Sequence, residues 1–172
     1  MAATRSFNNG SVSVQIAGSF DNLNETIASA KQALSEIFSA TLTTGTGADQ
    51  ADRVYYGRRA ASTTPEDIDL AAGSLTDIFG NAITFARVKL IYIKNRSTTA
   101  AEIITVGGDT NALVNWVGAA NDVVNVRAGG VLLLYAPDAT GYAVTAATGD
   151  ILQIVAASGT PSVDVLIIGC SA

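Results

Sequence analysis

The sequence predicts a mainly β protein with one N-terminal helix, its body an eight-stranded antiparallel β-sandwich of jelly-roll type. Three observations carry this. From Pro65 onward, short apolar stretches are punctuated by turn signals rich in Gly, Asn, Asp and Pro. No amphipathic helix pattern is interleaved with them, which argues against a parallel α/β sheet. Before them, one run free of Gly and Pro repeats its apolar residues at helical spacing. The chain thus divides into an arm, residues 1–64 (strand, helix and connector), and a β-sandwich domain, residues 65–172.

Taken in order, residues 11–17 alternate, with Val12, Val14 and Ile16 on one face and Ser11, Ser13 and Gln15 on the other, which is a short strand. Asn22 with Glu25 three residues later makes a capping-box-like start for a helix running to about Leu42. Its apolar positions Leu23, Ile27, Ala30, Leu34 and Ile37 are spaced 4-3-4-3, as in a coiled-coil seam. Only about two heptads are covered. A helix that short needs a partner surface, either a sheet of its own chain or the same helix of another copy.

Residues 43–65 read as a connector. TTGTGADQAD is small and flexible, and its GTGAD lacks the Lys-Ser/Thr partner and the preceding strand of a phosphate loop. RVYYGRR groups Arg53, Tyr55, Tyr56, Arg58 and Arg59, residue types enriched in interface hot spots, so these five form a candidate protein interface. A packed and solvated segment is the plainer alternative. The eight strands are then expected at 66–71, 83–94, 102–106, 112–116, 123–127, 131–136, 150–156 and 163–169. SLTDIFG, between the first two, has the residues for one helical turn. The apolar runs VLLLYA and VDVLIIG imply strands covered on both faces, the second cover being another subunit or the N-terminal helix. In VDVLIIG, Val163, Val165 and Ile167 share the core face, and Leu166 and Ile168 meet the second cover.

Composition narrows the function. Charged residues make up 15% of the chain, against about 25% for an ordinary soluble domain. The net charge of −5 argues against general binding to nucleic acid or to anionic membranes. Basic residues cluster at Arg87, Lys89, Lys94 and Arg96, whereas the chain after residue 100 holds six acids and only Arg127, a polarity suited to pairing between copies. No apolar stretch approaches the roughly 20 residues needed to span a bilayer, and the first twenty lack a signal-peptide core, so synthesis in the cytoplasm is expected.

Histidine is absent and Cys170 is the one cysteine, which removes Ser-His-Asp and Cys-His catalysis and the usual zinc sites. Cys170 reads as a small filler at a strand end rather than a link between chains. Asp67 and Asp69 lie on one strand face opposite Ile68 and Leu70; an exposed face is the plain reading, a Ca²⁺ site the sharper one. Trp116 is the one candidate for stacking on a sugar ring. No catalytic constellation, cofactor or metal is expected, and the chain reads as a non-enzymatic contact protein.

The succession of a strand, a helix, GTGADQADRVYYGRRAAS, EDIDLAAGSLTDIFGNAITFARVKLIYIKN, the VGGD turn, VRAGGVLLLYAPDATGYAVTAATGDILQI and a closing VDVLIIG resembles a family of small virion proteins of tailed bacteriophages. The resemblance runs from about Phe20 to Ala172. It implies a capsid decoration (cement) protein on the head exterior that stabilises capsomer junctions. Its partners would be further copies of itself, in a trimer rather than a dimer, and the major capsid or another virion protein, with no nucleic acid or membrane. It would reside in the virion, made in the host cytoplasm. The alternatives are a tail or baseplate component and, further off, a receptor- or glycan-binding module.

Overall fold

The computed structural model describes residue 7, residues 10–22 and residues 30–172. No helix occurs among them; the protein is all-β.

The arm is a long antiparallel hairpin of β1 (Gly10–Asn22) and β2 (Ala30–Thr44), in register from Gly10↔Leu42 to Asn22↔Ala30. This corrects the helix expected from Asn22 to Leu42. The heptad spacing was real, but a period of two runs through the same residues: Leu34, Phe38, Ala40 and Leu42 share one face, interrupted only by Glu36. Across the hairpin Val12 faces Ala40, Val14 faces Phe38 and Ile16 faces Glu36, so the apolar face of β1 lies on the same side. Pairing with β1 satisfies the backbone, and the Thr-rich end of β2 favours extended structure. Leu34 and Ile37, three apart, therefore point to opposite faces of β2 rather than along one stripe. Leu23 and Ile27 of that seam lie outside the described residues, and Ala30 closes the described part of β2.

At its base the hairpin is tied to the body. β2 pairs in parallel with the two-residue β3 (Gln50–Ala51), and the Thr43 amide donates to the Asp49 carbonyl at 2.9 Å.

The body consists of two facing sheets. One has the order β11 (Val131–Tyr135), β8 (Arg87–Asn95), β14 (Ser162–Cys170), β4 (Arg53–Ala60), with the short β12 (Tyr142–Ala143) also on β8. The other has the order β10 (Val123–Val126), β9 (Ile104–Gly107), β13 (Ile151–Ala156), β5 (Glu66–Asp69). All neighbours within these two sheets are antiparallel. Between them lies the main core: Val163, Val165, Ile167, Ile91 and Ile93 from the first sheet meet Ile68, Ile104, Val106, Leu152 and Ile154 from the second.

Four further expectations are corrected. The described residues form fourteen strands, ten of them from Glu66 onward where eight were expected. Residues 112–116 contribute only an isolated bridge, Ala112 with Ile151. Residues 53–60, read as a connector, are the edge strand β4, hydrogen-bonded to β14 from Ser162↔Ala60 to Gly169↔Arg53. Instead of a helical turn, SLTDIFG opens a small hairpin of β6 (Leu75–Thr76) and β7 (Ala82–Ile83), whose turn is held by the Asp77 carboxylate accepting from the amides of Phe79 and Asn81, both at 2.9 Å.

The alternation of the closing strand is as expected. Val163, Val165 and Ile167 are fully buried in the main core, whereas Ile168 and Leu166 belong to a second cluster with Leu90, Tyr92, Leu133 and Tyr135. The second cover is the base of the arm, through Val12 and Leu42, so it is a hairpin rather than a helix. A β-bulge between Ile168 and Gly169 shifts the register against β8. Gly169 is required there, because a Cβ would sit 2.3 Å from the Arg87 carbonyl oxygen.

Candidate interaction surface

The outer face of the β11–β8–β14–β4 sheet is built in rows, because residues two apart on every strand share a face. Registers across β4, β14, β8 and β11 give Val54, Ile168, Leu90 and Tyr135 as the row under the arm. Next come Tyr56, Leu166, Tyr92 and Leu133, then Arg58, Asp164, Lys94 and Val131. The first row is covered by Val12 and Leu42, and Phe38 meets the Tyr135 ring edge-on at 5.7 Å. The second row ends in Tyr56, 55% exposed. An apolar band thus emerges from beneath the arm and stops at a charged row.

Alternation also decides the fate of the five Tyr-Arg candidates. Tyr55 is buried in the main core, and Arg59 lies over its ring at 5.6 Å. The Arg59 Nε donates to Tyr55 Oη and its Nη1 to Glu66 Oε1, each at 2.8 Å, so this side chain clasps β4 to β5 of the facing sheet. Arg53 bonds its neighbour Asp52 at 3.1 Å. The structure therefore splits the set: Tyr56 and Arg58 are presented outward, while Tyr55 and Arg59 are framework.

Asp164 links the charged row, accepting from Arg58 Nε at 2.7 Å and from Arg96 Nη1 at 2.9 Å. The hydrogen bond from Arg58, and then that from Arg96, hold its carboxyl below the usual range against the opposing effect of burial. Since the folded pKa lies below the unfolded one, the stabilisation is complete above about pH 4 and is lost as pH falls through the folded value. We expect Asp164→Asn to cost on the order of 1 kcal/mol at pH 7, since both guanidinium partners are half-exposed. We expect it also to lose less stability than the parent between about pH 5 and pH 2. Thermal melts over that window check this, and parallel curves would refute the assignment.

The basic cluster expected from the sequence is divided. Lys89 is fully buried and its Nζ donates to the Asp138 carbonyl, while Arg87 Nη1 donates to the Ala139 carbonyl at 2.5 Å. Lys94 and Arg96 stand at the opposite end, beside Arg58.

Asp67 and Asp69, neighbours on one strand, have different partners. Asp67 and Asp109 both accept from Gln153 Nε2, at 2.8 and 3.3 Å, whereas Asp69 caps the amides of Ala71 and Ala72. Among the described residues no group of three or more His, Cys, Asp or Glu is placed to hold a metal ion. Trp116 is partly buried and packs against the main core. Cys170 is free and buried, and burial pushes its thiol up.

Two exposed apolar features stand out, one of which includes Leu34 of the expected seam. Along the arm's apolar face exposure rises from Val12 (8%) and Leu42 (0%) at the base to Phe38 (47%), Leu34 (54%) and Ile16 (59%). The β6–β7 turn displays Ile78 (79%) and Phe79 (77%) beside a cavity of about 340 Å³ that Phe7, Val54 and Ile83 also line. The alternation of Val12, Val14 and Ile16 already marked the arm face. Nothing in SLTDIFG distinguishes a displayed Ile-Phe pair from a packed one.

Comparison of the chain with family models, with curated proteins and with solved structures gives no match.

Proposed function

We propose that this protein is a non-enzymatic structural component of a tailed-bacteriophage particle, a decoration protein that binds the head exterior as a homo-oligomer and stabilises capsomer junctions. The observation that carries the contact role is the arm. A hairpin of this length, apolar on one face and buried only at its base, has an energetic reason to exist when something covers the rest. The order of the eight longer strands across the two sheets, β11-β8-β14-β4 and β10-β9-β13-β5, fits a jelly-roll winding, and the resemblance of the chain to small phage virion proteins supplies the particle. On this reading Tyr56 and Arg58 belong to the contact surface, as does the Ile78–Phe79 turn. The partners are further copies, in a trimer, and the major capsid protein or another virion protein. The protein is made in the host cytoplasm and resides in the virion. Its work is mechanical: each contact is modest, and several arms attached at once raise the free energy needed to separate neighbouring capsomers.

A low-resolution map of particles that carry the protein tests this. Density on the outer surface of the head at capsomer junctions is expected. Density confined to the tail or baseplate would replace the decoration role with the tail alternative, and absence from particles would remove the virion reading altogether.

A further inference from the structure

We infer that the exposed part of the β1–β2 arm docks on the outer face of the β11–β8–β14–β4 sheet of a second copy of this chain, with Glu36 set against the positively charged row of that sheet. The arm reaches beyond its contact with its own body. β1 has 13 residues, roughly 44 Å at about 3.4 Å per residue, and the arm meets the body only near its base, through Val12, Leu42 and Phe38. Its base already shows what the face is made to cover, since Val12 and Leu42 sit on Leu90 and Ile168. Both surfaces continue outward from that contact: the arm as Phe38, Ile16 and Leu34, the sheet as the band ending in Tyr56. A second arm on that band repeats, between copies, the packing that the base makes within one.

Charge fixes which surface receives the arm. Glu36 lies on the apolar face of the arm, opposite Ile16 and two residues from Leu34, and has no ion pair among the described residues. Two arms packed face to face would bring two copies of this carboxylate into an apolar contact, which is unfavourable. The sheet offers the opposite sign: the row after the apolar band holds Arg58, Lys94 and the nearby Arg96 against Asp164 alone. The apolar-to-charged step takes two residues on both surfaces, from Leu34 to Glu36 and from Tyr92 to Lys94, so aligned packing of sheet on sheet matches both contacts at once.

The inference deepens the oligomer in the reading above and is tested on purified protein alone. Its failure leaves head binding standing, and a protein missing from particles leaves this contact standing. Glu36→Cys and Lys94→Cys proteins would be mixed and treated with a short bismaleimide, the native Cys170 being buried. Cross-linking in the mixture, and not in either protein alone, is expected. Cross-linking of the Glu36→Cys protein to itself, or none in the mixture, would overturn the inference. In sedimentation at low salt, Glu36→Lys should weaken association about tenfold, and adding Lys94→Glu should restore it. Both positions are solvent-accessible, so circular dichroism is expected to be unchanged. Association that the single change leaves intact, or the double change fails to restore, would equally overturn it.

Discussion

Replacing Ile167 by Ala is expected to lower the free energy of unfolding by about 2–5 kcal/mol, the range for removing three carbons from a packed core. Ile167 is fully buried, lies in the middle of β14 and stands in register with Tyr55 of β4 and Ile91 of β8, both buried in the same core. Its side chain faces the other sheet, where Ile68, Leu152 and Ile154 are also fully or almost fully buried, so the cavity left by truncation has walls on two sides and little freedom to collapse. For a domain whose whole stability is about 5–15 kcal/mol, that is a large fraction. Val131→Ala is the control: half of Val131 is already in solvent, and the expected cost is about 0.5 kcal/mol or less. Urea unfolding of both variants gives the comparison. Equal costs would mean that Ile167 does not face the core.

The alternation that supports this prediction was legible in the sequence, as was most of the sandwich, because each body strand carries a period of two bounded by turn residues. VDVLIIG even assigned its two faces correctly. β4 escaped for a chemical reason: Tyr and Arg at successive positions look like an interface, and the alternation of Tyr55 inward and Tyr56 outward emerges only once β14 is set beside it. The arm escaped because residues 30–42 satisfy two periods at once. Leu34 and Ile37 fit a helix, and Leu34, Phe38, Ala40 and Leu42 fit a strand. The pairing of β2 with β1, a contact between distant residues, decided the matter. Lys89 illustrates the same limit at a single side chain, since nothing local shows that the carbonyl of Asp138 takes its ammonium group and allows a lysine to be fully buried.

Deleting residues 166–172 should have a larger effect than any point substitution, abolishing the folded state rather than weakening it. β14 has neighbours on both sides, and its last residues hold three parts of the molecule together. Leu166, Ile167, Ile168 and Gly169 are in register with Tyr56, Tyr55, Val54 and Arg53 of β4, and the same stretch covers β8 from Tyr92 back to Val88. Beyond the strand, the Ser171 amide and hydroxyl donate to the Asp52 carboxylate at 2.8 and 2.6 Å, anchoring the chain that leads from the arm into β4. The deletion would leave buried amides and carbonyls on both neighbours without partners, each costing about 1–3 kcal/mol. It would also remove Ile167 and Cys170 from the interior and Ile168 from beneath the arm. Those losses together exceed what a domain of ordinary stability can absorb. Far-UV circular dichroism of the truncated chain should show no cooperative thermal transition. A sharp transition near the parent's would mean that β14 is dispensable, and the two-sheet packing on which the arm and its docking face both depend would fail with it.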